Sequence, residues 1–146
     1  MQVRELMNQS VVSITPGESA SLAARLLARH QLGALPVCGE DGGLRGIVTD
    51  RDIVTRCLAA GRSASSTPVR DVMTAKVITA RPDMEVALAA GLMGREQIRR
   101  LPVMENGRLC GMVSLGDLAM QDETSIDAGD ALTEISNNLS SRDGRL

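Results

Sequence analysis

Aromatic side chains are missing from this chain: its 146 residues include no phenylalanine, tryptophan or tyrosine. The core must therefore be filled by aliphatic side chains and by eight methionines, which adapt to irregular gaps. Single-stranded nucleic acids usually stack on aromatic rings, and the net charge of −2 gives no general attraction to nucleic acid or to anionic membranes. Binding to nucleic acid or to a membrane is therefore not expected.

Histidine and cysteine are also scarce. His30 is the only histidine, and Cys38, Cys57 and Cys110 are too widely spaced for a zinc motif and odd in number for a disulfide framework. Without a second histidine or an adjacent serine or cysteine, no pair of nucleophile and base can be assigned. We therefore predict buried, reduced thiols, no metal, no catalytic cofactor and no enzymatic activity.

Long hydrophobic runs are absent as well. No segment approaches the roughly 20 apolar residues that a membrane-spanning helix needs, and the N-terminus lacks the cationic and apolar regions of a signal peptide. Hydrophobic residues still make up 43% of the chain, which is enough to bury a core. These features predict a cytoplasmic location.

The chain does contain an internal repeat. Five short segments recur in the same order, 66 and then 65 residues apart: 3–7 and 69–73, 11–13 and 77–79, 22–26 and 88–92, 35–37 and 101–103, 46–49 and 111–114. Each copy predicts a strand, a helix, a hairpin of two strands joined by a Gly-rich turn, and a second helix.

The predicted bounds follow from hydrophobic periodicity and from the positions of Pro and Gly. The first copy has a strand at 11–14, a helix at 19–31, strands at 35–38 and 44–49, and a helix at 50–60. The second has a strand at 77–79, a helix at 84–97, strands at 101–104 and 109–114, and a helix from 116. We divide the chain into motif 1 (3–60), a linker (61–68), motif 2 (69–120) and a C-terminal tail (121–146), whose apolar residues Ala131, Leu132, Ile135 and Leu139 predict a short helix.

Two matching turns join a predicted strand to a predicted helix: Thr49-x-x-Asp52 and Ser114-x-x-Asp117. The aspartate of such a turn can accept hydrogen bonds from both hydroxyls of a ribose, and the free N–H groups of a helix start favour an anion. The same spacing is that of an ordinary helix capping box. The residues alone leave both interpretations open.

These turns lie in longer segments, 46–53 and 111–118, which together with 32–37 and 98–103 resemble the signatures of the CBS domain family. The resemblance covers residues 3 to about 120 and is greatest to stand-alone bacterial proteins made of a tandem CBS pair, or Bateman module. It implies an α/β fold of two β-α-β-β-α motifs with pseudo-twofold symmetry, here with a short C-terminal helix, and a homodimer. It also implies an adenosine ligand in clefts between the motifs: AMP, ADP or ATP, with S-adenosylmethionine as a further candidate.

The resemblance also assigns residues to the two clefts. Cleft 1 would contain Thr49, Arg51, Asp52, Lys76, Val77, Ile98, Arg99 and Arg100. Cleft 2 would contain Ser10, Val11, Leu32, Gly33, Ala34, Met112, Ser114 and Asp117. Because arginine binds phosphate oxygens with paired hydrogen bonds, we predict the more anionic ligand in cleft 1 and a weaker, empty or less anionic site in cleft 2. The alternative for Arg99 and Arg100 is a solvated charged turn.

Two functions are compatible with these features. The first is a regulatory module that binds an adenine nucleotide, senses energy state or a metabolite, and acts through dimer contacts or an unknown effector protein. The second is a structural or protein-interaction CBS dimer with no functional ligand. The sequence contains no cluster that supports catalysis.

Overall fold

Each repeat is organised around a two-stranded antiparallel hairpin in the computed structural model, which describes residues 1–121 and 124–142. The chain divides into two compact units. Unit 1 consists of Met1–Val11, Ile78–Glu105 and the described residues from Cys110 onwards, and unit 2 consists of Val12–Val77 with Asn106–Leu109. The predicted α/β fold of two β-α-β-β-α motifs is confirmed.

Unit 2 contains the elements of the first repeat. Helix α1 (Ala20–His30) is followed by strands β1 (Ala34–Cys38) and β2 (Leu44–Thr49), and helix α2 (Asp50–Ile53) continues as a π-helical turn, Val54–Leu58. The side chain of Ser19 accepts a hydrogen bond from the Leu22 N–H at 3.1 Å and so begins α1. Gln31 ends α1 in the left-handed conformation, with φ 54°. The observed helix therefore agrees with the predicted one to within a residue at each end.

Unit 1 contains the elements of the second repeat and one more helix. They are α3 (Val86–Glu96), β3 (Arg100–Glu105), β4 (Arg108–Ser114), α4 (Leu115–Ala119) and α5 (Ser125–Arg142), with the first two residues of β4 assigned to unit 2. The predicted short C-terminal helix has 18 residues. Ala131 and Ile135 are buried as its apolar face requires, whereas Leu132 is 43% exposed and Leu139 lies outside the described side chains.

The first strand of each repeat is reduced to a single residue, so the strands predicted at 11–14 and 77–79 are wrong in extent. Ile14 pairs in parallel with β1: its N–H donates to the Pro36 carbonyl at 3.0 Å, and the Cys38 N–H donates to its carbonyl at 2.9 Å. The next bonds on either side would need N–H groups from Pro36 and Pro16, which proline lacks. The second repeat has the same arrangement, since the Ala80 N–H donates to the Pro102 carbonyl and the Met104 N–H donates to the Ala80 carbonyl. Pro102 and Pro82 take the places of Pro36 and Pro16.

The compact units cut across the sequence repeats. The leading segment of the first repeat lies in unit 1, where the Val3 N–H donates to the Met84 carbonyl at 2.8 Å. The leading segment of the second repeat lies in unit 2, where the Val69 N–H donates to the Glu18 carbonyl at 2.7 Å. Each hairpin is therefore completed by the segment that precedes the other repeat in the sequence.

The two cores contain no aromatic rings and are filled by aliphatic side chains and methionine. The largest fully buried side chains are Leu35 in unit 2 and Met93, Leu101 and Leu118 in unit 1. In unit 1 the core extends onto α5, since α5 contributes buried apolar side chains to the same cluster. Within the described residues no helix has the length and apolar character of a membrane span.

Two glycines allow the leading segments to approach β2 and β4. A Cβ added at Gly46 would lie 2.6 Å from the Thr74 carbonyl oxygen, and one added at Gly111 would lie 2.8 Å from Met7 Sδ and 3.1 Å from the Asn8 carbonyl oxygen. Backbone bonds pair the same segments, because the Thr74 N–H donates to the Ile47 carbonyl at 2.8 Å. A side chain at either glycine would push the leading segment away.

We expect Gly46→Ala to lower the free energy of unfolding by roughly 1–3 kcal/mol, because overpacking against a backbone atom cannot be relieved by a rotamer change. Gly111→Ala should cost less, since the nearest atom is the flexible Met7 side chain. Gly91→Ala is the matched control: it lies exposed in α3 with no described atom within 4 Å of the added Cβ, and should be neutral or stabilising. Denaturant unfolding followed by far-ultraviolet circular dichroism measures all three, and equal stabilities for Gly46→Ala and Gly91→Ala would contradict the close approach.

Candidate functional site

The two predicted strand-to-helix turns form reciprocal capping boxes. The Asp52 N–H donates to Thr49 Oγ1 at 3.0 Å, and the Thr49 N–H donates to Asp52 Oδ2 at 3.0 Å. In the second repeat the Asp117 N–H donates to Ser114 Oγ at 3.1 Å, and the Ser114 N–H donates to Asp117 Oδ2 at 2.9 Å. Each aspartate thus uses one carboxylate oxygen to begin its helix. The other oxygen keeps the greater capacity to accept hydrogen bonds from a ligand.

The second oxygens of the two aspartates have different surroundings. Asp117 is half-buried, and among residues 1–121 and 124–142 its Oδ1 has no hydrogen-bond partner. Asp52 is only 8% exposed, and its Oδ1 lies 4.0 Å from Arg56 Nε. The carboxylate of Asp117 is therefore the more available acceptor.

Arg56 was not among the predicted site residues. Its guanidinium also donates to the Met73 carbonyl at 3.0 Å and so connects the Asp52 helix to the leading segment of the second repeat. The i, i+4 spacing of Asp52 and Arg56 was the available signal in the sequence. In unit 2 this arginine partly neutralises the predicted ribose-binding carboxylate.

The segments that precede β1 and β3 contact the helix starts of their own repeats. The Leu115 N–H donates to the Arg99 carbonyl at 3.0 Å, and the Asp50 N–H donates to the Gly33 carbonyl at 3.3 Å. Arg99 therefore lies beside the Ser114 turn.

A cavity of about 400 Å³ in unit 1 contains the arginine pair. Its described lining consists of Arg99, Arg100 and Ser114, of Leu115, Gly116 and Ala119 from α4, and of Ser125, Ala128, Gly129 and Leu132 from α5. Asp117 is not among the described residues that line it. Both arginines are exposed, and among the described residues neither guanidinium has an ion-pair partner. The cavity has a cationic side, with no acidic side chain among its described lining residues.

The cavity of unit 2, about 350 Å³ in volume, has a different character. Its lining is apolar except for Asp50 and includes Leu32 of the predicted set, but among the described lining residues neither Thr49 nor Asp52 appears. Arg51 and Lys76 lie exposed in the same unit, outside that lining. Unit 2 therefore has the aspartate turn and two solvated cations, without a cationic cavity among the described residues.

The leading segments bring further predicted residues into each unit. Asn8 and Met112 exchange backbone hydrogen bonds of 2.8 and 3.0 Å, which places Ser10 and Val11 in unit 1 with Ser114 and Asp117. Lys76 and Val77 likewise lie in unit 2 with Thr49 and Asp52, whereas Ile98 lies in unit 1 and Ala34 in unit 2. The predicted pairings of Asp52 with residues 98–100 and of Asp117 with residues 32–34 join different units and stay predictions.

All three thiols are free, and Cys38 and Cys57 are buried as predicted, whereas Cys110 is only half-buried. Desolvation raises the pKa of Cys38 and the pKa of Cys110 above the ordinary thiol value. Such thiols are protonated at neutral pH and are weak nucleophiles. Within the described residues no group of three or more His, Cys, Asp or Glu side chains could hold a metal ion.

Removing the hydroxyl of either capping residue should destabilise the protein. We expect Thr49→Ala and Ser114→Ala each to cost about 1 kcal/mol, because each leaves a helix N–H without its acceptor. Ser13→Ala, at an exposed serine, is the control and should be neutral. Chemical denaturation measures the change, and a cost for Ser114→Ala no larger than that of the control would argue against the capping box.

Most of the chain matches a known protein family and its members. The sequence model of the CBS domain matches residues 3–59 and 69–122. The CBS domain-containing protein YhcV of Bacillus subtilis is 42% identical over 134 residues, which is 92% of this chain and 94% of YhcV.

Two solved structures support the same relationship. The structure of Hypoxic Response Protein I with two coordinated zinc ions superposes with a TM-score of 0.77 at 32% identity, covering 83% of this chain and 98% of that one. The structure of the CBS domain pair of the protein MJ0100, in complex with 5'-methylthioadenosine and S-adenosyl-L-methionine, superposes with a TM-score of 0.73 at 29% identity, covering 82% of this chain and 94% of that one.

Proposed function

The chain belongs to the CBS domain family, and from this membership we propose that it is a regulatory module that binds an adenosine-containing ligand. The candidates are AMP, ADP, ATP and S-adenosylmethionine. The complex of the MJ0100 CBS pair with two adenosine compounds supports this ligand class.

The single observation that carries the proposal is the cationic cavity of unit 1. Arg99 and Arg100 lie beside Ser114 in a space of about 400 Å³, within the range of small-ligand sites. Guanidinium groups without carboxylate partners can each donate two parallel hydrogen bonds to phosphate or carboxylate oxygens. The arginine pair therefore takes the anionic end of the ligand.

Asp117 is the candidate for the ribose in unit 1, because its Oδ1 remains available after helix capping. Ser10, Val11, Ile98 and Met112 belong to the same unit and are the proposed contacts for the rest of the nucleoside. This assignment moves the more anionic ligand from the predicted Asp52 site to the unit that contains the arginine pair.

A second, weaker site is proposed in unit 2. Thr49 and Asp52 would hold the ribose there, with Arg51 and Lys76 as solvated cations and Val77 and the segment 32–34 as neighbours. Burial of Asp52 and the approach of Arg56 leave its carboxylate less available, so the affinity is lower.

The signal would pass to another molecule by a shift between conformations, since a ligand that prefers one conformation increases its population. A second copy of the chain or an effector protein would read that shift. One observation also favours the alternative of an interaction module without a ligand: the apolar cavity of unit 2 adjoins Val54 and Leu58, which are 55% and 58% exposed.

The absence of aromatic residues makes the first test direct. The purified polypeptide has almost no near-ultraviolet absorption of its own, so an adenine band reports a bound ligand, which mass measurement after extraction identifies. A thermal shift with added AMP, ADP, ATP or S-adenosylmethionine tests protein that is purified empty. A clean spectrum together with no shift would favour the interaction module.

Replacing both arginines should weaken binding by about tenfold or more, because each hydrogen bond to a charged group contributes roughly 1.5–3 kcal/mol. We expect this loss for Arg99→Gln with Arg100→Gln, measured by isothermal titration calorimetry with ATP. Arg25→Gln, at an exposed arginine of α1, is the control and should bind as the original protein does. Unchanged affinity of the double variant would remove the arginine pair from the site.

Asp117→Asn should weaken nucleotide binding while it keeps most of the stability, because the amide oxygen can still accept the Ser114 N–H. Asp117→Ala should lose both binding and the cap. Unfolding and titration of the two variants separate the capping role from the ribose role. If Asp117→Asn binds the nucleotide normally, Asp117 serves only the helix.

A further inference from the structure

Helix α5 lies against the arginine pair. The cavity that contains Arg99 and Arg100 is also lined by four α5 residues, Ser125, Ala128, Gly129 and Leu132. None of these α5 residues belongs to the set that the family resemblance assigns to a ligand site. The cavity is therefore partly built from a segment outside the repeat.

The position of α5 in unit 1 is determined by close packing. Ala128, Ala131 and Ile135 are 4%, 4% and 3% exposed and belong to the same core as α3. A Cβ added at Gly94 of α3 would lie 2.7 Å from Glu134 Oε2 and 3.1 Å from the Ala131 Cα, so the backbone of α5 lies close to α3 at this glycine. This contact holds α5 so that Gly129 and Leu132 remain on the cavity side.

The chemistry of the cavity fits an amphiphilic anion. The arginines provide a cationic side, while Leu115, Ala119, Ala128 and Leu132 provide apolar walls. A Cβ added at Gly129 would meet no described atom within 4 Å, so the α5 wall is open at that position. A nucleoside phosphate has this division between a charged end and a less polar end.

We propose that α5 is a wall of the ligand site in unit 1, so that nucleotide binding at Arg99 and Arg100 and the docking of α5 stabilise each other. This inference rests on the proposed function, because it concerns the same ligand. The coupling is reciprocal by thermodynamic necessity: a ligand that contacts docked α5 must also favour its docking.

Filling the cavity from α5 tests the proposal. The side chain of Gly129→Leu would extend into open space on the cavity wall, and leucine is a better helix former than glycine. We expect at least tenfold weaker binding of ATP and AMP with an unchanged or higher melting temperature. Gly91→Leu is the matched control, since it makes the same exchange at an exposed, open position of α3 away from the cavity, and it should bind normally.

Hydrogen exchange of the unsubstituted protein gives a second measurement that does not depend on a variant. Saturating ATP should slow amide exchange in α5 over residues 125–137, relative to α1 in unit 2. Titration with inorganic phosphate and with adenosine separates the two ends of the ligand: phosphate should compete at the arginine pair, and adenosine should bind more weakly than AMP.

The outcomes separate this inference from the proposed function. If the protein binds no adenosine compound, both the proposed function and the role of α5 are wrong. Normal ATP binding by Gly129→Leu, or α5 exchange that ATP leaves unchanged, removes the role of α5 and leaves the arginine site in place. If Gly129→Leu lowers the melting temperature, the hydrogen-exchange result decides.

Discussion

The close approach of a leading segment to a glycine of a hairpin is the constraint on which each unit depends. At Gly46 and Gly111 the missing side chain leaves room for the backbone of another part of the chain, which then pairs with the strand by hydrogen bonds. This contact attaches residues 1–11 to the second repeat and the segment before Ile78 to the first. Because those segments include Ser10, Val11, Lys76 and Val77, the same constraint selects which predicted site residues each unit contains.

The two repeats share the same local hydrogen-bond arrangement at the helix start but differ in the cavities of their units. Both have a reciprocal capping box and a pre-strand carbonyl that accepts from the helix start. Arginines occupy positions 99 and 100 where the first repeat has Gly33 and Ala34, and within unit 1 α5 packs against α3 and α4. The arginine pair together with α5 thus gives unit 1 a cationic cavity, whereas the described lining of the cavity in unit 2 is apolar except for Asp50.

The aspartate turns show how a structural role and a ligand role can share one carboxylate. One oxygen accepts a backbone N–H in both turns, and this bond explains the Thr/Ser-x-x-Asp spacing without any ligand. The second oxygen distinguishes the turns: it is available at Asp117 and faces Arg56 at Asp52. The spacing alone carries no information on that difference, because the neighbour of the second oxygen comes from the packing.

The sequence by itself determined the repeat, the order of the elements and most of their bounds, since these depend on short-range features such as Ser19 as a cap and the Gly-rich turns. It also identified the arginine pair and the two aspartate turns. Only the tertiary structure decided that a leading segment completes the other repeat's hairpin, that prolines limit the first strands to one paired residue, and that α5 borders Arg99 and Arg100. Proline lacks an N–H wherever it lies, but the missing bond matters only once the pairing register is known. Local periodicity contains no information on register, or on which surface a distant helix covers, because both depend on contacts between residues far apart in the chain.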